Sequence, residues 1–121
     1  MAGKLFPLEE VLANRDKTPV SQQTATIASH AATITLAAVA GEKYYIHQIT
    51  LVGTTGGGGA EAIVIKKGTT DSFTDTFTVG TRYSQPFDGI GWVGNEGEAV
   101  SIVASATNLT AAKLSVVGYR K

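Results

Sequence analysis

Two histidines are the residues of this chain best suited to nucleophilic or metal chemistry, because the sequence contains no cysteine. His30 falls at a turn between two early strands, and His47 lies inside a run of strand-forming residues. The two share no metal-ligand spacing, and no Gly-x-Ser-x-Gly nucleophile motif is present. We therefore expect no enzyme activity, no metal and no cofactor. A small hydrolase or isomerase stays open if a carboxylate lies within hydrogen-bond reach of a histidine in a pocket.

A glycine-rich stretch at residues 53–59 has part of the pattern of a phosphate-binding loop. The Walker motif needs Lys and then Ser or Thr after its last glycine, whereas Ala60 and Glu61 follow here. A carboxylate would then lie where a phosphate should bind. We interpret the stretch as a hairpin loop, because consecutive glycines are entropically costly in a strand or a helix.

The single tryptophan, Trp92, follows Tyr83 and Phe87 in a glycine-rich segment. Three such rings could form a stacking platform for a sugar, which keeps a carbohydrate-binding module open. Glycines on both sides of Trp92 favour the other interpretation, in which the ring fills the core where a loop crosses the domain.

Length and charge restrict the class of protein. The chain has 121 residues, enough for one domain with its own core, and ten basic residues balance ten acidic ones. Nucleic acid and anionic membranes are not expected partners, because both need a concentrated basic surface. No secretion signal is recognised, and the most apolar stretch, residues 31–40, is about half the length of a membrane span. A net charge of zero fits a chain that packs against other chains.

The elements that must position these residues are predicted to be strands. The longest strand-forming run is residues 42–53, which should form a central strand with Tyr44, Ile46 and Val52 on one face and Tyr45, Ile49 and Leu51 on the other. Further strands are predicted at residues 24–29, 32–37, 61–67, 73–79, 99–104 and 113–119, with a long irregular loop at 80–97. About seven or eight short strands without intervening helices predict an all-β domain, a single antiparallel β-sandwich or jelly roll over residues 24–121.

Residues 1–23 differ in composition and are predicted to form an N-terminal arm. A proline at a first-turn position, early acidic residues and apolar side chains at i, i+3 and i+4 predict a short helix at about residues 7–14. A helix of two turns is unstable alone in water, so it must dock on its own domain or on a neighbouring subunit. We predict that its apolar residues bind a partner: Leu5, Phe6, Leu8, Val11 and Leu12.

Short segments between residues 38 and 120 follow one another in a characteristic order. They are AGEKYYI at 40–46, a glycine-rich turn, a basic-tipped strand, QPFDGIGW at 85–92, GNEGEAVSI at 94–102 and LSVVGY at 114–119. This order resembles a group of small structural proteins of tailed bacteriophages. The resemblance does not include the N-terminal arm, and it transfers no catalytic residue.

What the resemblance implies is a jelly-roll or β-sandwich capsid decoration protein, also called a cement protein. Such a protein is made in the host cytoplasm, is often a homotrimer, and binds the major capsid protein on the outer surface of the phage head. There it stabilises contacts between capsomers of the virion. No nucleic acid, membrane or small-molecule substrate is expected. A tail-fibre module that binds a receptor or a carbohydrate is the alternative.

Overall fold

The computed structural model describes residues 17–24, 30–52, 61–78, 82–106, 109 and 112–121. Within these ranges the secondary structure is all β, as predicted, and no helix there has the length and hydropathy to cross a membrane. The short helix predicted at about residues 7–14 lies outside the described residues. The strands are β1 (Thr18–Thr24), β2 (Ala31–Leu36), β3 (Tyr44–Val52), β4 (Glu61–Lys67), β5 (Thr70–Asp75), β6 (Tyr83–Pro86), β7 (Trp92–Val93), β8 (Val100–Ala106) and β9 (Lys113–Arg120).

The strands form two antiparallel sheets. Sheet I has the order β1-β9-β3-β6, with β7 also paired to β3, and sheet II has the order β2-β8-β4-β5. The pairing is nested along the chain: β1 pairs with β9, β2 with β8, β3 with β6 and β7, and β4 with β5. Two more pairings, β3 with β9 and β4 with β8, join these ribbons into sheets.

One apolar core lies between the sheets. Strand β8 shows why the sequence folds this way, since its side chains alternate strictly between buried and half-buried positions. Among the described residues no polar or charged residue is buried. The largest fully buried side chains come from both sheets and one connection: Leu36, Ile46, Ile49, Leu51, Ile63, Ile65, Val100, Ile102, Leu109, Leu114 and Val116.

The predicted division of faces in β3 is wrong, because the strand contains a β-bulge. Ile46 pairs with Gly118 and Gln48 pairs with Val117, which leaves His47 as the extra residue. The bulge reverses the side-chain alternation after His47. Tyr44 and Ile46 therefore share the core face with Ile49 and Leu51, whereas Val52 is exposed.

Other element bounds differ from the sequence-based ones. Among the described residues sheet I begins at Thr18, within residues 1–23 that were predicted to form the N-terminal arm, and not at residue 24. The loop predicted at residues 80–97 contributes β6 and β7, which both pair with β3. Strand β5 ends at Asp75, so the predicted strand at 73–79 covers only its second half.

Candidate interaction surface

The outer face of sheet I is a candidate interaction surface. The pairing register aligns its outward side chains in three rows across the sheet, because directly opposed residues share a face. The rows are Pro19, Tyr119, Tyr45 and Val93; Ser21, Val117, Gln48 and Pro86; and Gln23, Ser115, Thr50 and Ser84. We call these twelve residues the uncharged face, since none of them carries a formal charge.

Hydrogen bonds hold the polar part of this face in place. Gln48 Nε2 donates to Ser84 Oγ at 2.7 Å, and Gln23 Nε2 donates to Ser115 Oγ at 3.2 Å. Both bonds connect side chains of neighbouring strands, so they fix the amide groups on the sheet surface. Val117 lies in the middle row and keeps half of its accessible surface, at 50%.

Aromatic rings form the other part of the uncharged face. The rings of Tyr45 and Tyr119 are stacked, with centroids 4.8 Å apart and ring planes 15° apart. The exposed bulge residue His47 tilts against the ring of Tyr119, at a centroid distance of 5.5 Å. The bulge thus places a third ring beside the tyrosine pair. Because aromatic side chains offer large contact areas, they are enriched at protein interfaces.

Three lysines border the aromatic end of the uncharged face. The Lys17 ammonium lies 4.8 Å from the centroid of the Tyr119 ring, a cation–π contact. Lys43 and Lys121 exchange two backbone hydrogen bonds, of 2.9 and 3.0 Å, which extend the ladder by one residue beyond β3 and β9. Alternation from the tyrosine pair places both side chains on the outer face, where they are exposed. We call Lys17, Lys43 and Lys121 the lysine row.

The charge of the lysine row is not neutralised by a described carboxylate. Glu42, which adjoins it, is paired instead with Arg120, at 3.0 Å between Oε1 and Nε. The other ion pair among the described residues joins Lys66 to Asp71 on sheet II. The outer face of sheet I therefore has three uncharged rows with cations at both ends: the lysine row at the aromatic end and, by alternation along β9, the exposed Lys113 at the other.

The two histidines do not come together. His30 has a positive φ of 61°, and its Nδ1 lies 3.1 Å from the carbonyl oxygen of Leu109. His47 is exposed on the opposite sheet from β2, the strand that follows His30. Among the described residues no group of three or more His, Asp or Glu side chains has a geometry that could hold a metal ion.

The three rings of the carbohydrate hypothesis are half-buried and pack against the core. Phe87 lies edge-on to Phe73, at 5.2 Å between centroids. The Trp92 indole donates to Ser72 Oγ at 3.1 Å, and Lys67 Nζ lies 5.7 Å from the centroid of its ring. Tyr83 and Trp92 pair with β3 at Leu51 and Ile46, which separates them by about 15 Å along the strand.

Tyr83 has a specific polar partner instead. Its hydroxyl donates a hydrogen bond of 2.7 Å to Asp75 Oδ2. This bond lowers the pKa of the Asp75 carboxyl, and the Thr76 backbone N–H, 2.8 Å from Oδ1, lowers it further. Burial raises the pKa of the Tyr83 hydroxyl, and the bond to Asp75 raises it more. The pair ties β6 to the end of β5, so it connects the two sheets.

The residues predicted to bind a partner, Leu5, Phe6, Leu8, Val11 and Leu12, lie outside the described residues. The sequence-based analysis missed the uncharged face and the lysine row. The only local signal concerned two members of the lysine row, since lysines stand close to tyrosines in Lys43-Tyr44-Tyr45 and in Tyr119-Arg120-Lys121. That these two segments are adjacent follows only from the pairing of β3 with β9.

Comparison with known proteins adds no relationship. No family model matches the chain, and neither a curated protein nor a solved structure matches it significantly.

Proposed function

We propose that this chain is a capsid decoration protein of a tailed bacteriophage. It binds the major capsid protein on the outer surface of the head, as a homotrimer, and stabilises contacts between capsomers. The body of each subunit is a jelly roll, and residues 1–16 form an arm that extends to another subunit.

The strand order supports the jelly-roll assignment. A chain whose first strand pairs with its last, and whose second pairs with its second-last, is a long ribbon folded once and wound into two sheets. Jelly rolls of this kind occur in viral capsid and lectin domains. Because a fold does not by itself determine a function, this support is by analogy.

The observation that carries the proposal is the uncharged face. When the outer face of a sheet contacts only water, it normally presents polar and charged side chains, which alternate along each strand with the apolar side chains that face the core. Here three complete rows lack charge, and one row contains the Tyr45–Tyr119 stack. Depletion of charge together with aromatic enrichment is the composition of the centre of a protein interface.

The area of this face explains why an arm is needed as well. Four strands spaced by about 4.8 Å and six residues of about 3.3 Å give a flat area of about 300 Å². A standard interface buries about 800 Å² on each partner. The face therefore supplies less than half of a stable contact, and an apolar arm is a means to add area without a larger body. Three-fold association in which each subunit contacts the next closes into a ring.

The proposal is tested with virions that carry the gene for this chain. We expect the chain to sediment with assembled heads in many copies per particle, and the recombinant chain to rebind heads from which it has been removed. Val117→Glu places a charge in the centre of the uncharged face and should abolish rebinding. Thr33→Glu is the control, because Thr33 is also exposed, on the outer face of sheet II.

Both variants should unfold in urea at nearly the same midpoint as the wild type, since both substitutions are at the surface. Absence of the chain from purified heads, or rebinding of the Val117→Glu variant with wild-type affinity, contradicts the proposal. Recovery of the chain with tails alone would point to the tail-fibre alternative.

A further inference from the structure

We propose that strand β2 docks on strand β2 of a second copy of this chain, so that the two copies join their sheets II into one antiparallel sheet about a two-fold axis at Thr33. This inference goes beyond the proposed function and does not depend on it. A ring whose subunits contact one another head to tail contains no two-fold contact, so this contact joins subunits of different rings.

The edge strands of the two sheets differ in how they are protected. Proteins protect edge strands with proline, charged side chains, register shifts or short length, because the unpaired N–H and C=O groups of an edge can bind another strand. Strand β1 contains Pro19, strand β6 has four residues and ends in Pro86, and strand β5 carries Asp71 and Asp75 and has a register shift against β4. Strand β2 also lies at the end of its sheet, and its six residues include none of these features. Within the described ranges, β2 is therefore the longest edge without protection.

The hydrogen-bond pattern identifies the backbone groups that β2 offers. The N–H of Ala106 donates to the carbonyl oxygen of His30 at 3.2 Å, and these two residues extend the pairing of β2 with β8 by one position. Because bonded and non-bonded pairs alternate along an antiparallel ladder, Ala31, Thr33 and Thr35 belong to the non-bonded pairs. Their N–H and C=O groups point away from β8, and no described backbone group bonds to them.

A second copy of β2 matches these groups. Directly opposed residues on neighbouring strands share a face, so a two-fold axis between antiparallel strands passes through one residue position. With the axis at Thr33, the outward residues oppose only one another: Thr33 opposes Thr33 of the second copy, and Ala31 opposes Thr35. Each such pair exchanges two hydrogen bonds, so every outward backbone group of Ala31, Thr33 and Thr35 gains a partner.

Charge favours the same occupant. Neither β2 nor β1, which contacts it from sheet I, contains a charged residue. Two copies therefore meet at this edge without the repulsion that directly opposed like charges produce. Two copies that met through the outer faces of their sheets I would instead bring lysines together, because that face has cations at both ends.

The area of the edge predicts a weak contact. An edge about 20 Å long and two sheets deep, at about 10 Å for each sheet, covers about 400 Å². A standard interface buries about 800 Å² on each partner. The fraction of paired copies should therefore rise with protein concentration, and a method that traps the pair is the suitable test.

Disulfide trapping is such a method, because the natural chain has no cysteine. In the Thr33→Cys variant the two thiols are opposed across the axis, with about 5.5 Å between their Cα atoms, a distance that a disulfide can span. Thr35→Cys is the matched control. Thr35 is exposed on the same face of the same strand, but it lies about 13 Å from Thr35 of the second copy, since four residues of about 3.3 Å separate them. In a glutathione redox buffer we expect at least tenfold more disulfide-linked dimer from Thr33→Cys than from Thr35→Cys.

Two further variants test the register and the contact without a disulfide. Mixed Ala31→Cys and Thr35→Cys subunits should give more heterodimer than either homodimer, because these two positions are opposed. Thr33→Glu places two carboxylates at the axis, so it should abolish the rise of mass with concentration that sedimentation measures for the wild type. Each variant is first checked for a wild-type urea midpoint.

Equal disulfide yields from Thr33→Cys and Thr35→Cys overturn the inference. So does a mass that rises with concentration as steeply in the Thr33→Glu variant as in the wild type. The capsid function fails separately, because the Thr33→Glu variant should still rebind heads. Trapped dimers of a chain that does not bind heads reject the decoration function alone, and head binding without trapped dimers rejects the edge contact alone.

Discussion

The ring of Tyr45 lies on the ring of Tyr119, with the two centroids 4.8 Å apart and the planes within 15° of parallel. These residues are directly opposed on β3 and β9, and they stand on the outer surface of sheet I. The stack therefore does two things at once. It ties the two central strands together, and it forms the aromatic end of the uncharged face.

The coupling between the two tyrosines can be measured. We expect Tyr45→Leu and Tyr119→Leu to destabilise the fold non-additively, with a coupling free energy of about 0.5–1.5 kcal/mol, as for other stacked pairs. The measurement is urea unfolding of the wild type, both single variants and the double variant. Strict additivity would show that the rings are adjacent without stabilising each other.

Gly118 is required by the close approach of β9 to β3. A Cβ at this position would overlap the carbonyl oxygen of Tyr45 and lie 3.0 Å from Ile46 Cα, and neither backbone atom can move without breaking the ladder. We expect Gly118→Ala to destabilise the protein by about 3 kcal/mol or more, within the range of core overpacking and strain.

The matched control is Gly97→Ala. Unlike Gly118, Gly97 has a positive φ, 68°, and a Cβ there would meet no atom within 4 Å. Its substitution should cost only the strain of that conformation, about 1 kcal/mol. Thermal or urea unfolding of both variants gives the comparison, and equal losses would contradict the steric explanation.

The bulge at His47 decides which of the neighbouring residues Leu51 and Val52 faces the core, and simple alternation along the sequence does not give this result. Leu51 is fully buried, whereas Val52 is 39% exposed. Leu51→Ala should therefore cost about 2–5 kcal/mol, the range for a buried leucine, and Val52→Ala should cost less than about 0.5 kcal/mol. Unfolding in urea measures both. A larger loss in the Val52→Ala variant would mean that the alternation is not reversed.

The strands that the sequence predicted well are those with unbroken alternation. Residues 61–67 place Ile63 and Ile65 on one face and Val64 on the other, and the structure buries the first two. Alternation of this kind is a local signal, since the polarity of each side chain indicates which face of the strand it occupies. An extra residue such as His47 has no local signal, because its effect is seen only in the pairing with β9.

Short strands and non-local surfaces were beyond sequence reasoning for a related reason. Strand β7 has two residues, Trp92 and Val93, between segments rich in glycine, so its extended run is too short for a pattern. The lysine row combines the residues just before β1 and β3 with the residue just after β9. No spacing along the chain predicts that these three side chains share one border.

The hydrogen bond between Tyr83 and Asp75 predicts how stability depends on pH. Because the pKa of the folded Asp75 carboxyl is lowered, its contribution is present above the unfolded value of about 4 and is lost as pH falls through the folded value. The difference in unfolding free energy between wild type and Asp75→Asn should therefore decrease between about pH 5 and pH 2, as measured by urea unfolding.

At alkaline pH the same hydrogen bond has the opposite effect, so that stability falls as pH rises. The pKa of the Tyr83 hydroxyl is raised in the folded protein, so its contribution is present below the unfolded value of about 10 and is lost as pH rises through the folded value. Tyr83→Phe should remove the alkaline dependence and weaken the acid one, because the Thr76 N–H still lowers the pKa of Asp75 in this variant. If the acid dependence persisted unchanged in this variant, it would come from a carboxyl group other than that of Asp75.

Removal of residues 1–13 separates the body from the arm. Among the described residues, sheet I begins at Thr18 and the core residues lie in β1 and the elements after it, so the described contacts of the body do not need the deleted residues. We expect the truncated chain to keep its free energy of unfolding within about 0.5 kcal/mol of the wild type and to lose attachment to heads, because the uncharged face alone is well below the area of a standard interface. Sedimentation with heads and urea unfolding measure the two effects on the same preparation. Unfolding of the truncated chain would show instead that the apolar residues of the arm belong to the core of their own subunit.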